Sequence, residues 1–379
     1  MARVLRQLGL WVSALRPSAR VVVQGRGLGG LRRPRAVLDC GNSGTSARFM
    51  LGTLAGFPFA ARITGDASLR RRPMRRVTAP LAQMGARFEE KTGDGLPLVV
   101  HGGRLRALHY ELPVAAAQVK GALLLAGLTG GVPVQLREPV QSRDHTERML
   151  QALGVRLTVN GLTVSLEPPE RLAAFELAIP GDISSAAFLI GAALLGGRGE
   201  LVLRALGVNP TRVGSLRVLE RMGAAIAVQP HRLVLGEPVA DIVVNPSVLR
   251  ACTVEPDEVP SLIDEIPMLA VLAARAEGES VFRGVQELRV KESDRLMLIA
   301  RNLRAVGVEA EASGDTDTVV GTDQPPRGSV DTARDHRLAM AFAVLGSIPG
   351  AAVRLSERAS VAVSYPGFFD DLKRVRAGV

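Results

Sequence analysis

The chain has 379 residues, 47% apolar and 22% charged, which is ordinary for a globular protein and long enough for two domains with separate cores. Its formal charge of +10 invites a nucleic-acid reading, but with 3% aromatics there is little to stack on bases, and the cations are spread along the chain, so small anionic substrates explain the charge equally well. Two cysteines, Cys40 and Cys252, exclude a disulfide framework and point to a reducing cytoplasm, and no uninterrupted apolar run is long enough to span a membrane.

Eight arginines precede the first acidic residue, Asp39, which has the look of a transit peptide, yet "RVVVQGRG" from Arg20 reads as a strand and turn. The stretch Gly25 to Gly30 formally fits G-x-G-x-x-G, but Pro34 follows and no helix opens, so it reads as a turn-rich loop. "GNSGT", Gly41 to Thr45, runs into an apolar helix and offers backbone N–H groups to a phosphate or carboxylate. Five arginines follow around Pro73, at 70, 71, 72, 75 and 76; most should face solvent, and one or two could grip an anion in bidentate fashion.

The same theme recurs down the chain. Gln118 and Lys120 head one apolar helix, and Ser142, Arg143, Asp144 and His145 open another. "PGDISSAAFLI" is a small-residue helix start, and Asp264 and Glu265 precede a helix that reads as buried. A carboxylate there is either a plain N-terminal charge or a tuned base. "RVKESDR", Arg289 to Arg295, packs three cations and two carboxylates into the mouth of a helix, and Arg334 to Arg337 place charge before the last apolar one. No His/Cys cluster has metal-ligand spacing, and no G-x-S-x-G motif is present.

A repeat underlies this series. Amphipathic helices end in a glycine, at Gly9, Gly85, Gly154, Gly223 and Gly307, about 70 to 85 residues apart, each followed by a short β-branched strand and a turn. "TVNGLTV" adds an Asn-Gly hairpin signal. The expectation is a repeat-built α/β (α+β) architecture rather than one doubly wound sheet. Helices that pointed their N-termini at one cleft would make it strongly attractive to anions.

In order, "GNSGT", "GDASLRRRPM", "AQVKGALLLAGL", "SRDHTERML", "PGDISSAAFLI", "NPTR", "IDEIPMLAV", "ELRVKESDR", "DHRLAM" and "SYPGFFDDL" resemble the 5-enolpyruvylshikimate-3-phosphate synthase family of enolpyruvyl transferases over nearly the whole chain. The resemblance implies two domains, 1–178 and 179–379, each of three pseudo-symmetric βαβαββ units of the inside-out α/β barrel type, with a cleft between them. It implies transfer of enolpyruvyl from phosphoenolpyruvate to shikimate 3-phosphate, with no cofactor or metal and no nucleic-acid or membrane partner, by a cytoplasmic monomer. Phosphoenolpyruvate would meet Gly44, Arg72, Gln118, Arg295 and Arg337. Shikimate 3-phosphate would meet Gln118, Ser142, Arg143 and Lys291, with Asp264 as base on its hydroxyl and Glu292 handling the proton at the methylene carbon. "SRDHTE" and "IDEIP" look like the branch that includes glyphosate-tolerant enzymes, while Gly44, where tolerant members can carry Ala, implies inhibition.

The sequence also departs from the family pattern. Members begin with about fifty more residues, including a Gly-Asp-Lys-Ser motif whose lysine touches both substrates, so the expectation is an incomplete first domain and little or no turnover. Ala116 and Ala117 stand where a Ser-Ser or Ser-Ala pair is usual, leaving backbone contact only, and Val363 replaces a lysine found in many members. Two other readings stay in view: a UDP-N-acetylglucosamine enolpyruvyl transferase, which would need a reactive loop cysteine, and a non-catalytic basic remnant binding anions or nucleic acid.

Overall fold

The computed structural model describes residues 1–16, 20–90 and 93–377. The chain divides into two compact bodies, Met1–Leu177 and Ala178–Val379.

The first body opens with helix α1 (Ala2–Gln7) and an antiparallel pair, β1 (Trp11–Val12) and β2 (Val23–Gln24). Two units of one pattern follow. The first is β3 (Leu38–Asp39), α2 (Gly44–Ala55), β4 (Ala60–Thr64), a short α3 (Ala67–Arg71), α4 (Arg75–Met84), β5 (Arg87–Glu90) and β6 (Leu98–His101). Its sheet runs β3-β4-β6-β5, with β3 and β4 parallel and the other pairs antiparallel. The second is β7 (Leu108–Glu111), α5 (Ala117–Gly130), β8 (Val134–Arg137), α6 (His145–Ala152), β9 (Arg156–Asn160) and β10 (Thr163–Glu167). Its order, β7-β8-β10-β9, repeats the first, again with only the leading pair parallel. The Asn-Gly signal marks the tight turn here, displaced by one residue: Asn160 is the last strand residue and pairs with Thr163, so the two central residues are Gly161, with φ +57°, and Leu162.

The second body begins with α7 (Ile183–Leu194), β11 (Leu201–Gly207), α8 (Gly214–Arg221), β12 (Ala225–Val234) and β13 (Glu237–Asn245), in the sheet order β11-β13-β12. The leading strand of this unit is reduced to one parallel bridge between Gly181 and Leu206. A full unit follows: β14 (Thr253–Val254), α9 (Ile266–Ala273), β15 (Glu279–Phe282), α10 (Arg295–Ala305), β16 (Ala310–Ser313) and β17 (Thr316–Val320), in the order β14-β15-β17-β16. The chain closes with β18 (Arg327–Val330), α11 (His336–Leu345), β19 (Ala352–Leu355) and α12 (Phe368–Ala377), where β18 and β19 are parallel.

Three complete βαβαββ units per domain, the expectation from sequence, are therefore not what the described residues form. Each body holds two units. The first also carries the helix and paired strands of a unit's second half, and the second carries the βαβα of a first half. The marker glycines explain the regularity. Gly9, Gly85, Gly154, Gly223 and Gly307 follow α1, α4, α6, α8 and α10, with φ of +86°, +114°, +81°, +82° and +90°. The left-handed cap that turns the chain into the next strand thus sits after the same helix of each unit.

In the first body α2 lies tightly on α5. A Cβ at Gly52 would come within 2.0 Å of the Ala122 carbonyl oxygen, and Leu51, Leu54, Leu123 and Leu124 fill the space around the crossing. In the second body several polar side chains are buried, and one of them stands out. Asp317 on β17 is fully buried, and neither carboxylate oxygen has a hydrogen-bond partner among the described residues. Burial pushes its carboxyl up to about 8, against a weaker opposing pull from Arg304.

Two glycine substitutions separate backbone strain from packing. Gly154→Ala meets open space but must adopt φ +81°, and should cost about 1 kcal/mol. Gly52→Ala drives a methyl into backbone that cannot yield, and should cost roughly 3 kcal/mol or more. Urea denaturation of the two variants should show that order; the reverse order would contradict the tight α2–α5 crossing.

Candidate active site

In the second body, three helix starts gather charged residues. Asp264 and Glu265 lead into α9, whose residues are all buried; "RVKESDR" leads into α10, and Asp335 into α11. Arg295, the first residue of α10, is 0% exposed. Asp335 holds it by two nitrogens, Nε to Oδ2 at 2.8 Å and Nη2 to Oδ1 at 3.2 Å. Nη2 also lies 2.5 Å from Glu292 Oε2, and Nη1 lies 3.7 Å from Asp264 Oδ1. Nη1 has no hydrogen-bond partner among the described residues. Asp264 then gathers the other cations. Lys291 Nζ donates to its Oδ1 at 3.3 Å, Arg212 Nη1 lies 4.0 Å from Oδ2, and Arg337 Nη1 donates to its backbone carbonyl at 3.1 Å.

These distances fix the charges. Burial alone would raise the Asp335 carboxyl, but the Arg295 guanidinium outweighs it and holds the group down at about 2. Arg295 is likewise kept charged: burial works against it, and Asp335 and Glu292 win. His336 is lowered to about 4, by burial first and the Arg337 charge second, so its ring is neutral near pH 7.

The carboxylates also cap helices. Asp182, Asp294 and Asp335 accept from backbone N–H groups of Ser185, Met297 and Arg337 at 3.0, 3.1 and 2.9 Å. These helix starts are therefore occupied by the protein's own acids, with guanidinium and ammonium groups beside them. Arg289 and Asp294 are structural: they pair at 3.3 Å, and Asp294 is the cap of α10.

In the first body, Gly44 is the first residue of α2, with Ser43 as cap accepting from Ser46 N at 3.2 Å. A Cβ at Gly44 would sit 3.0 Å from Arg48 Nη1 and 3.3 Å from Arg72 Nη1, so hydrogen at this position admits two guanidiniums. Arg72 is half-buried and donates to Asn42 Oδ1 at 3.2 Å, while Arg70, Arg71, Arg75 and Arg76 are exposed. Gln118, in the first turn of α5, receives Arg48 Nη1 at 2.5 Å and donates to Thr45 Oγ1 at 2.7 Å. Ala116 is the cap residue of α5, and Ala117 its first residue. Arg143 is half-buried just before α6. Ser142 is buried and its hydroxyl donates to Glu138 inside the body.

Lys120 belongs to the same buried group. Its Nζ lies 2.7 Å from Glu138 Oε2 and 2.5 Å from Glu147 Oε1. Sequence reasoning picked out Lys120 without its partners. It missed Arg212, which donates to Asp182 Oδ1 at 3.0 Å and Ser184 Oγ at 2.6 Å, and it placed Glu265 before α9 without its partner Ser184, whose hydroxyl it accepts. The only signal for Arg212 was its place in "NPTR". Among the described residues no group of three or more His, Cys, Asp or Glu side chains could hold a metal ion, and no helix is long and apolar enough to cross a membrane.

The Asp335 carboxyl falls from an ordinary 3.8 to about 2, so its stabilising contribution is complete above pH 4 and lost as pH drops toward 2, about 2 kcal/mol in all. Asp335→Asn should remove that acid limb and cost roughly 3–5 kcal/mol at pH 7 by stranding Arg295. Urea melts from pH 2 to 7 check both, and an unchanged acid limb would be inconsistent with the pair.

The chain is similar to known proteins over most of its length. The sequence model of the family described as EPSP synthase (3-phosphoshikimate 1-carboxyvinyltransferase) matches residues 1–372. The chain is 47% identical over 378 residues to a 3-phosphoshikimate 1-carboxyvinyltransferase of Chloroflexus aurantiacus, covering 98% of this chain and 86% of the relative. It is 48% identical over 371 residues to the protein of that name from Geobacillus kaustophilus, covering 97% and 86%. A solved structure of EPSP synthase from Acinetobacter baumannii superposes with a TM-score of 0.86 at 37% identity, over 98% of this chain and 86% of that one.

Proposed function

This chain belongs to the EPSP synthase family, and on that premise we propose that it transfers the enolpyruvyl group of phosphoenolpyruvate to shikimate 3-phosphate and releases phosphate, a step of the shikimate pathway. The observation that carries the chemistry is the pair Asp264 and Glu292, two carboxylates set against one buried guanidinium, Arg295, at 3.7 and 2.5 Å.

The roles follow from the reaction. The methylene carbon of phosphoenolpyruvate gains a proton, and positive charge develops at the neighbouring carbon. The shikimate hydroxyl attacks there and loses its proton. Phosphate then departs, and a proton leaves the new methyl group to restore the double bond. Glu292 serves the methylene proton and Asp264 accepts that of the hydroxyl. Lys291, 3.3 Å from Asp264, sits where it can hold shikimate 3-phosphate beside the base. Arg295, whose Nη1 is without a hydrogen-bond partner among the described residues, binds phosphoenolpyruvate with Arg337, Arg72, Gln118 and the backbone at Gly44. Gln118, Arg143 and the backbone of Ala116 and Ala117 bind shikimate 3-phosphate. Ser142 contributes through the loop it anchors, since its hydroxyl is committed to Glu138. The enzyme works without cofactor or metal, as a cytoplasmic monomer.

The reading as a UDP-N-acetylglucosamine transferase loses its reactive thiol. Burial pushes Cys40 up to about 11 and raises Cys252 as well, so neither is poised as a thiolate.

Phosphate release from phosphoenolpyruvate should require shikimate 3-phosphate, and Glu292→Gln and Asp264→Asn should each slow it by about 10²–10⁴-fold. Release that proceeds equally well without shikimate 3-phosphate would defeat the assignment. Gly44→Ala presses on the movable ends of Arg48 and Arg72, so it should leave the melting temperature nearly unchanged while raising KM for phosphoenolpyruvate and weakening glyphosate inhibition. A steady-state inhibition series reads both effects.

A further inference from the structure

We propose that Lys120 is a positioning residue for shikimate 3-phosphate: with Glu138 and Glu147 it ties the helix start that carries Gln118 to the loop and helix start that carry Arg143. The inference rests on the functional reading above, and concerns a lysine that reading leaves unused.

Lys120 cannot touch a substrate itself, because it is 1% exposed. It lies on the first turn of α5, two residues after Gln118. Glu138 follows the last residue of β8, and Glu147 lies on the first turn of α6. The ammonium spans both, at 2.7 and 2.5 Å. Glu138 continues the tie: one oxygen accepts the Ser142 hydroxyl, and the other accepts the Ser142 backbone N–H at 3.5 Å. Arg143 is the next residue. Gln118 is held on its other side by Thr45 and Arg48 of α2. The helix start that carries Gln118 and the loop that carries Arg143 are thus joined through one buried ammonium.

Stability alone is a poor account of this cluster. Each buried ion costs several kcal/mol in desolvation, and well-packed apolar residues do as well or better in such places. One ammonium faces two carboxylates, so the group is not even balanced. Burial raises the Glu147 carboxyl, with Lys120 pulling the other way, and Glu147 Oε2 has no hydrogen-bond partner among the described residues. What the arrangement supplies is directional linkage among three segments, with hydrogen-bond geometry that an apolar contact lacks.

Lys120→Met strands two buried carboxylates and endangers the fold, so Glu147→Leu is the main variant. It leaves Lys120 and Glu138 paired one to one and cuts only the tie to α6. Leu81→Ala, at a fully buried position of α4, is the control for general destabilisation. Titration calorimetry gives the affinity for shikimate 3-phosphate, and steady-state kinetics give KM for each substrate. Glu147→Leu should weaken shikimate 3-phosphate about tenfold in both Kd and KM, with kcat and KM for phosphoenolpyruvate within about twofold. Leu81→Ala should lower the melting temperature at least as much and leave that affinity unchanged. Unchanged affinity in Glu147→Leu, or an equal loss in Leu81→Ala, would overturn the inference while leaving the enzyme assignment standing. Wild-type protein that does not bind shikimate 3-phosphate would overturn the assignment itself, and this inference with it.

Discussion

A guanidinium shut off from water must find its compensation inside the protein, and Arg295 finds it in Asp335. The pair is bidentate, with both partners fully buried, and each also begins or caps a helix. That one contact fixes the starts of α10 and α11 against each other. Glu292 stands three residues before Arg295, so its carboxylate falls onto the same guanidinium, and Arg337 stands two residues beyond Asp335. Asp264 closes the set from α9, drawing Lys291 and Arg212 to its oxygens. A lysine in place of Arg295 could not do this, since a point charge cannot meet a carboxylate with two parallel bonds. The placement of Glu292 and Asp264 therefore depends on a contact in which neither of them takes part.

The first body meets the same requirement with the same sign at the centre, a buried cation among carboxylates. There one ammonium serves two carboxylates, and it ties the start of α5 to Glu138 and to the start of α6. In both bodies the repeat makes this arrangement available. A βαβαββ unit places two helix starts next to parallel strand ends, and the left-handed glycine after the second helix returns the chain to the sheet in a constant way. Charged side chains at helix starts become a recurring resource, and each copy of the unit was free to use them differently.

Much of this was legible in the sequence. The five cap glycines, the Asn-Gly turn and the helix starts at Gly44, Ala117, Ile266 and Arg295 lie where local chemistry puts them, because each depends on residues a few positions apart. The capping role of Asp294 and its pairing with Arg289 were readable for the same reason. What could not be read was partnership over distance. Arg295 and Asp335 are 40 residues apart, Gln118 and Thr45 are 73 apart, and Ser184 and Glu265 are 81 apart. A single sequence shows a lysine at the head of an apolar helix at position 120, but not that two glutamates will converge on it. The five glycine endings mark the repeat correctly, but such an ending looks the same in a half unit as in a whole one, as α1 and Gly9 show, and the count of three units per domain was what the resemblance implied.

Asp317 belongs to no such partnership, and it changes what folding does to the solvent. Its carboxyl ionises at about 8 within the core, against 3.8 for an ordinary aspartate, so between those values the native chain holds a proton that the unfolded chain gives up. Unfolding near neutrality thus releases a proton to the buffer, and the heat of unfolding includes the buffer's own heat of protonation. Across that range, acidification favours the native state at this position even while it erodes the ion pairs elsewhere. The protein's proton inventory is set in part by a side chain with no catalytic assignment and no bonded neighbour among the described residues.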